Sequence, residues 1–182
     1  MAHVILGLLL IAPQSLYDLV KSFEAGVSLF YSASSGSIKR ALDGLLARGA
    51  IEVASVDAGA RGRKVYRVTE AGRREFEAWM TGEVTGPDLE TAALSRLFFL
   101  GLLPSQDRVP VLEGIVRRLE AELAQFRGLD AQLDGVKIPA GLEDVATHQR
   151  ATLGYGIASV HHALGWFREH LDRERARGQA EH

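Results

Sequence analysis

Apolar residues recur with helical spacing through most of the chain. From Val4 to Ile11 the sequence is apolar nearly all round and then meets Pro13, which predicts a short buried helix. Ser15 can cap a second helix, Leu16 to about Ala25, with Leu16, Leu19, Val20 and Phe23 on one face and Gly26 as its stop. Ser34 or Ser35 caps a third, Ser37 to Ala47. It turns Ile38, Ala41, Leu42, Leu45 and Leu46 inward and ends at Gly49. The period then changes. Ile51–Val56 and Lys64–Val68 are short β-rich runs on either side of a turn-rich tip, and so predict a hairpin with a long loop. Thr69 caps a fourth helix running toward Trp79 and Met80.

Gly82 to Asp88 is the best linker, because Pro87 drives Gly86 out of helical backbone. It divides the chain into residues 1–82 and 83–182. The second part is helical throughout. Leu89 to Leu103 forms one segment stopped by Pro104, and Pro110 falls in the first turn of the next. Leu112, Val116, Leu119, Leu123, Phe126 and Leu133 trace one apolar seam, with Asp130 at a position where an apolar residue is expected. After a break at Lys137 to Gly141, Leu153, Ile157, Val160, Leu164, Phe167 and Leu171 trace another. Seams of this kind pack against each other or against a second subunit. The fold class is therefore mainly α with a small β-hairpin: an N-terminal winged helix-turn-helix followed by a C-terminal helical domain, whose seams leave self-packing and dimerisation both open.

Composition narrows the function. The 182 residues are 47% hydrophobic and carry no cysteine, which excludes a disordered chain, a disulfide scaffold and thiolate chemistry. The longest apolar run is too short to span a bilayer and lacks the flanks of a signal peptide, so no membrane partner and a cytoplasmic location are expected. The net charge of −2 speaks at first against nucleic acid. It is unevenly spread, however. Residues 35–68 hold seven basic groups against three acidic ones, a local +4. That window includes the start of the third helix and the hairpin tip.

This pattern suits duplex DNA. The major groove admits one α-helix and is read by side chains near its N-terminus, here Ser35, Ser37, Lys39 and Arg40. The tip offers Arg61, Arg63 and Lys64 to phosphates or a minor groove. Enzyme readings find no support: there is no glycine-rich phosphate loop, no nucleophile elbow and no close pair of carboxylates on an apolar surface. No cofactor is expected. His148, His162 and His170 fall near one face of the last helix but lack carboxylates at ligand spacing, so no metal is expected either.

Several stretches resemble the PadR-like transcriptional regulators. They are Ile5-Leu6-Gly7-Leu8-Leu9, Ser35-Gly36-Ser37-Ile38-Lys39-Arg40-Ala41-Leu42, Arg48-Gly49-Ala50-Ile51-Glu52 and, most specifically, Gly62-Arg63-Lys64-Val65-Tyr66-Arg67-Val68-Thr69-Glu70-Ala71-Gly72-Arg73. The resemblance covers residues 3–80, and the rest is similar only as a helical domain of suitable length. It implies a homodimeric repressor bound to an inverted-repeat operator, with the seam from Leu153 to Leu171 joining the subunits. It also implies relief by a small aromatic effector, for which Trp79, Tyr155 and Trp166 are the candidate walls. The chain departs from the family pattern at Lys39, where tyrosine is usual, at Gly44, where a helix-former is usual, and at Leu46, where an acid is usual. Two other readings stay open: a winged-helix adaptor that binds proteins, and a helical ligand-binding protein without specific DNA recognition. Tyr66, Thr69 and Gly72 have a structural role that needs no DNA: packing under the hairpin, capping, and close helix approach respectively.

Overall fold

A computed structural model of the chain describes residues 1–56, 62–86 and 88–180. By internal contacts it divides into two compact units, Met1–Val111 and Leu112–His182.

The first unit opens with α1 (Ala2–Ile11), whose residues from Val4 to Leu9 are all buried. Helix α2 (Leu16–Ala25) starts at a capping box: the Ser15 hydroxyl accepts from the Asp18 amide, and the Asp18 carboxylate accepts from the Ser15 amide. After a 3₁₀ turn at Val27–Leu29, α3 (Ser35–Ala47) starts from the cap Ser34 and buries Ile38, Leu42 and Leu45. Its cap is Ser34, one of the two expected, and it begins two residues before the expected start.

The sheet has three strands rather than two. β1 (Gln14–Ser15), β2 (Ile51–Val56) and β3 (Lys64–Val68) are ordered β1-β3-β2, all antiparallel. Two residues beside Pro13 have no periodicity to show, so the third strand is invisible in the pattern. It matters because it ties the hairpin to the start of α2. Gly49, at φ +70, turns the chain from α3 into β2.

Helix α4 (Glu70–Thr81) is capped by the Thr69 hydroxyl, which accepts from the Gly72 amide and donates to the Gly49 carbonyl. Helix α5 (Leu89–Phe98) follows, capped by Asp88, and a 3₁₀ turn at Leu100–Leu102 replaces the continuous helix expected to Leu103. Helix α6 (Ser105–Leu133) starts directly after Pro104, so Pro110 lies inside it and not in its first turn. Pro110 lacks the N–H that would bond to the carbonyl four residues back, and both residues are exposed, so water can take that carbonyl.

The second unit is an antiparallel pair, the later part of α6 and α7 (Glu143–Ala180). Arg175 pairs with Glu113, Arg168 with Glu120, and Arg150 with Asp130 and Asp134, in reverse order along the two helices. Asp130, the polar break in the α6 seam, is thus an anchor for Arg150. Leu164, Phe167 and Leu171 are buried, while Leu153, Ile157 and Val160 are half-buried.

Gly44 illustrates what the fold does not use. A β-carbon there would approach only the flexible end of Arg48, at 3.8 Å. Nothing in the fold offsets its low helix propensity, so Gly44→Ala is expected to stabilise the protein by up to about 1 kcal/mol. Chemical denaturation of the two proteins checks this. A loss of stability would mean that the exposed face of α3 carries a constraint absent from its packing.

Candidate nucleic-acid interface

The first turn of α3 is ordered by its own serines. The Ser37 amide donates to Ser34 Oγ at 3.2 Å, and Ser37 Oγ donates to the Ser34 carbonyl at 2.7 Å. Ser37 is therefore half-buried and committed to the cap, while Ser35, Lys39 and Arg40 stand exposed. The helix presents unpaired N–H groups and two cations together, an arrangement suited to phosphate and base edges.

The hairpin is fastened to the helix before α3. Arg63 Nη2 lies 2.5 Å from Asp18 Oδ2, joining the foot of β3 to the first turn of α2. Hydrogen bonds from the Ser15 hydroxyl and amide, with Arg63 next, hold the Asp18 carboxyl down at about 2. Lys39 lies within electrostatic reach of the Tyr66 hydroxyl on β3. Lys64, at the start of β3 opposite Val56, is exposed. Arg61 lies outside the described residues.

Ion pairing sorts the basic groups of the 35–68 window. Arg48 is held by Glu75 and Arg67 by Glu52, each at 2.7 Å. Lys39 Nζ sits 2.6 Å from Asp43, four residues on in the same helix. Arg63 is held by Asp18. Among the described residues, no carboxylate pairs with Arg40 or Lys64. Sequence alone does not single out these two, and it passes over Asp18 as a wing partner. The only signal for Asp18 is its place three residues after Ser15, which marks a capping box.

Asp18 yields a pH prediction. Its folded pKa lies below the ordinary carboxylate value, so the stability it provides is complete above about pH 4 and is lost as pH falls toward 2. Asp18→Ala should cost about 1 kcal/mol at neutral pH, as loss of a helix cap does. The gap to the wild type should close between pH 4 and 2. Urea titrations at several pH values test this, and a gap that persists at pH 2 would show that packing, not the carboxylate, is responsible.

The effector candidates fall in both units. Trp79 lies in the first unit, stacked on His3 at 5.0 Å and beside Phe76. In the second unit Tyr155 is 76% exposed, and Trp166 is 39% exposed and stacked on His170. Eleven residues separate those two along α7, about 16 Å of helix. Among the described residues no group of side chains is arranged to hold a metal ion, and no helix is long and apolar enough to cross a membrane.

A helix-turn-helix followed by a small antiparallel sheet with a basic hairpin defines a winged-helix DNA-binding protein. Comparison with known proteins narrows the class. Residues 5–78 match the Transcriptional regulator PadR-like family, and residues 92–173 match the family described as Virulence activator alpha C-term. The chain thus carries a PadR-like transcriptional regulator domain followed by a Virulence activator alpha C-term domain, and the proteins it matches are transcriptional regulators and not enzymes. It is 25% identical over 178 residues to "Probable transcriptional regulator Rv1176c" of Mycobacterium tuberculosis, covering 92% of this chain and 93% of that protein. Among solved structures it is similar to Bacillus subtilis PadR in complex with operator DNA, at 20% identity and a TM-score of 0.45, covering 95% of this chain and 98% of that one. It is also similar to the PadR-like regulator BC1756 of Bacillus cereus, at 26% identity and a TM-score of 0.42, covering 95% and 94%.

Proposed function

We propose that this regulator is a cytoplasmic homodimeric repressor that binds an inverted-repeat operator and releases it on binding a small aromatic effector. Residues 1–82 supply the DNA contacts and residues 83–182 the dimer. Helix α3 enters the major groove through Ser35, Lys39 and Arg40, and the hairpin meets the backbone through Arg61, Arg63 and Lys64. Ser37 shapes the helix start rather than touching a base. The observation that carries this reading is that Arg40, on the first turns of α3, and Lys64, at the start of β3, have no carboxylate partner among the described residues, while the other described cations of the window are paired. Charges of one sign left unpaired on the helix start and the hairpin suit a polyanion.

Dimerisation draws on α7. Leu164, Phe167 and Leu171 are already buried within the chain, so the half-buried Leu153, Ile157 and Val160, with exposed Tyr155, are the positions left to meet a second copy. Of the effector candidates, Trp79 lines a cavity of its own unit, while Tyr155 and Trp166 are retained as second-unit candidates.

Sedimentation analysis and gel shifts on the DNA flanking the coding region test the proposal. A dimer shifting an inverted repeat supports it. A monomer, or a dimer that binds all duplexes alike, overturns it and favours the adaptor or the ligand-binding protein. Within the proposed dimer, Lys64→Ala removes one phosphate contact per subunit. The slope of log K against log salt is then expected to fall by about 1.8, and affinity to fall on specific and random duplexes alike. An unchanged slope would remove Lys64 from the interface.

A further inference from the structure

The chain carries seventeen arginines and only four lysines, Lys21, Lys39, Lys64 and Lys137. The difference is chemical. A guanidinium stays protonated in proteins, whereas an ammonium can give up a proton and leave a nucleophilic amine. Three of the four lysines stand exposed on α2, α3 and β3, and the fourth is exposed in the connection between α6 and α7.

Their surroundings separate them. Lys39 Nζ is 2.6 Å from Asp43 Oδ2, and Lys21 Nζ lies over the Tyr17 ring at 4.6 Å. Hydrogen bonding to Asp43 holds the Lys39 amine above the ordinary lysine value, and Tyr17 does the same for Lys21. Each of these ammonium groups must leave a partner before it can react. Lys64 and Lys137 have no carboxylate partner among the described residues. Lys64 differs from Lys137 in its setting. It lies in the basic window of residues 35–68, whose local +4 concentrates small dianions.

We propose that Lys64 is a site of acylation by an acyl phosphate, and that the modification turns down DNA binding. The neutral amine attacks the acyl carbon. A C–N bond forms, the C–O bond to phosphorus-bound oxygen breaks, and inorganic phosphate leaves, while the proton of the former ammonium passes to water. An acyl phosphate suits this place because its charge adjoins its reactive carbonyl, so the field that gathers the phosphate also brings the carbonyl to the amine. The product is a neutral amide. It removes one cation per subunit from the hairpin, and an amide releases no counter-ion from a phosphate. That consequence rests on the DNA contact proposed for Lys64, whereas the acylation itself does not.

The test treats the full-length protein with acetyl phosphate and follows acetylation at each lysine by peptide mass spectrometry. On the free protein Lys64 is expected to react about three times faster than Lys39 or Lys21, because an exposed ion pair or ring contact holds an ammonium by only a small margin. Lys137 is the reference for an exposed lysine outside the basic window, and Lys64 should react faster than it. Acetyl coenzyme A, whose phosphates lie far from its carbonyl, should give a smaller ratio of Lys64 to Lys137. After treatment with acetyl phosphate, affinity for a random duplex at physiological salt should fall by about tenfold or more. In Lys64→Arg, treatment should leave affinity at that variant's own starting value, and in Lys137→Arg the loss should persist. The proposal is overturned if Lys39 or Lys21 reacts as fast as Lys64, or if acetyl coenzyme A favours Lys64 equally. It is also overturned if acetylation of Lys64 leaves duplex affinity unchanged, or if treatment weakens Lys64→Arg as much as the wild type. The rates are read without DNA, so they do not depend on the DNA-binding reading. The salt slope of Lys64→Ala needs no acyl donor, so it judges the DNA contact alone.

Discussion

Gly72→Ala is expected to be the most destabilising single-methyl change in this protein. Gly72 sits in the first turn of α4, where the helix crosses the end of α3 and the start of β2. A β-carbon there would lie 1.9 Å from the Ala50 carbonyl oxygen and 2.9 Å from Val68 Cγ1. The first obstacle is backbone, and it cannot swing aside. That carbonyl also accepts from the Thr69 amide at 3.1 Å, so moving it breaks the bond that seats the cap of α4. Overpacking a rigid site usually costs 1–3 kcal/mol, and an obstacle made of backbone puts this change at about 3 kcal/mol or above. For a chain of this size the expected drop in Tm is about 10 °C. Gly165→Ala is the control, since a β-carbon at Gly165 meets nothing within 4 Å. It should leave Tm unchanged or raise it slightly. Calorimetry on both variants gives the answer, and a Gly72→Ala Tm within about 2 °C of wild type would mean that α4 can move away without loss.

The contrast among glycines shows what sequence can and cannot carry. Gly72 and Gly44 both stand in helices, and the sequence marks Gly72 for a close approach without showing what it approaches. Only the crossing of α4 over Ala50 makes one essential and leaves the other open to improvement. The helices were legible because their signals are local: Ser15, Ser34 and Thr69 accept from amides three residues on, and Gly49 and Pro13 stop what precedes them. The hairpin strands were legible because β-rich runs flank a turn. The strand at Gln14–Ser15 was not, since its partner is Tyr66 and Val65, some fifty residues away. The interface followed the same division. The basic window could be counted from the sequence, and Lys39–Asp43 could be anticipated from helical spacing. Arg48–Glu75 and Arg63–Asp18 could not, because folding alone brings them together.

Those long-range pairs lead to the largest expected effect on binding. Reversing Arg40 to glutamate should abolish operator binding at physiological salt while leaving the fold intact. Arg40 is exposed on the first turns of α3, outside the Ile38, Leu42 and Leu45 face that packs inward. Its loss removes no buried contact. A glutamate there would oppose a phosphate or an acceptor on a base edge instead of meeting it. Loss of one good base or phosphate contact is worth about 1–3 kcal/mol, and in the proposed dimer it occurs once in each half-site. Affinity should therefore fall by about a hundredfold or more for Arg40→Ala, and further for Arg40→Glu. Lys39→Ala should do less, because Asp43 already neutralises that ammonium in the free protein. Lys137→Glu serves as the charge-matched control. It makes the same change in net charge in the exposed connection between α6 and α7 and should alter operator affinity by no more than about twofold. Fluorescence anisotropy on a labelled operator, with circular dichroism to confirm the fold, separates these outcomes. If Lys39→Ala proves the more damaging change, Asp43 gives up its partner to DNA, and the recognition surface is set by exchange of ion pairs rather than by the cations left free.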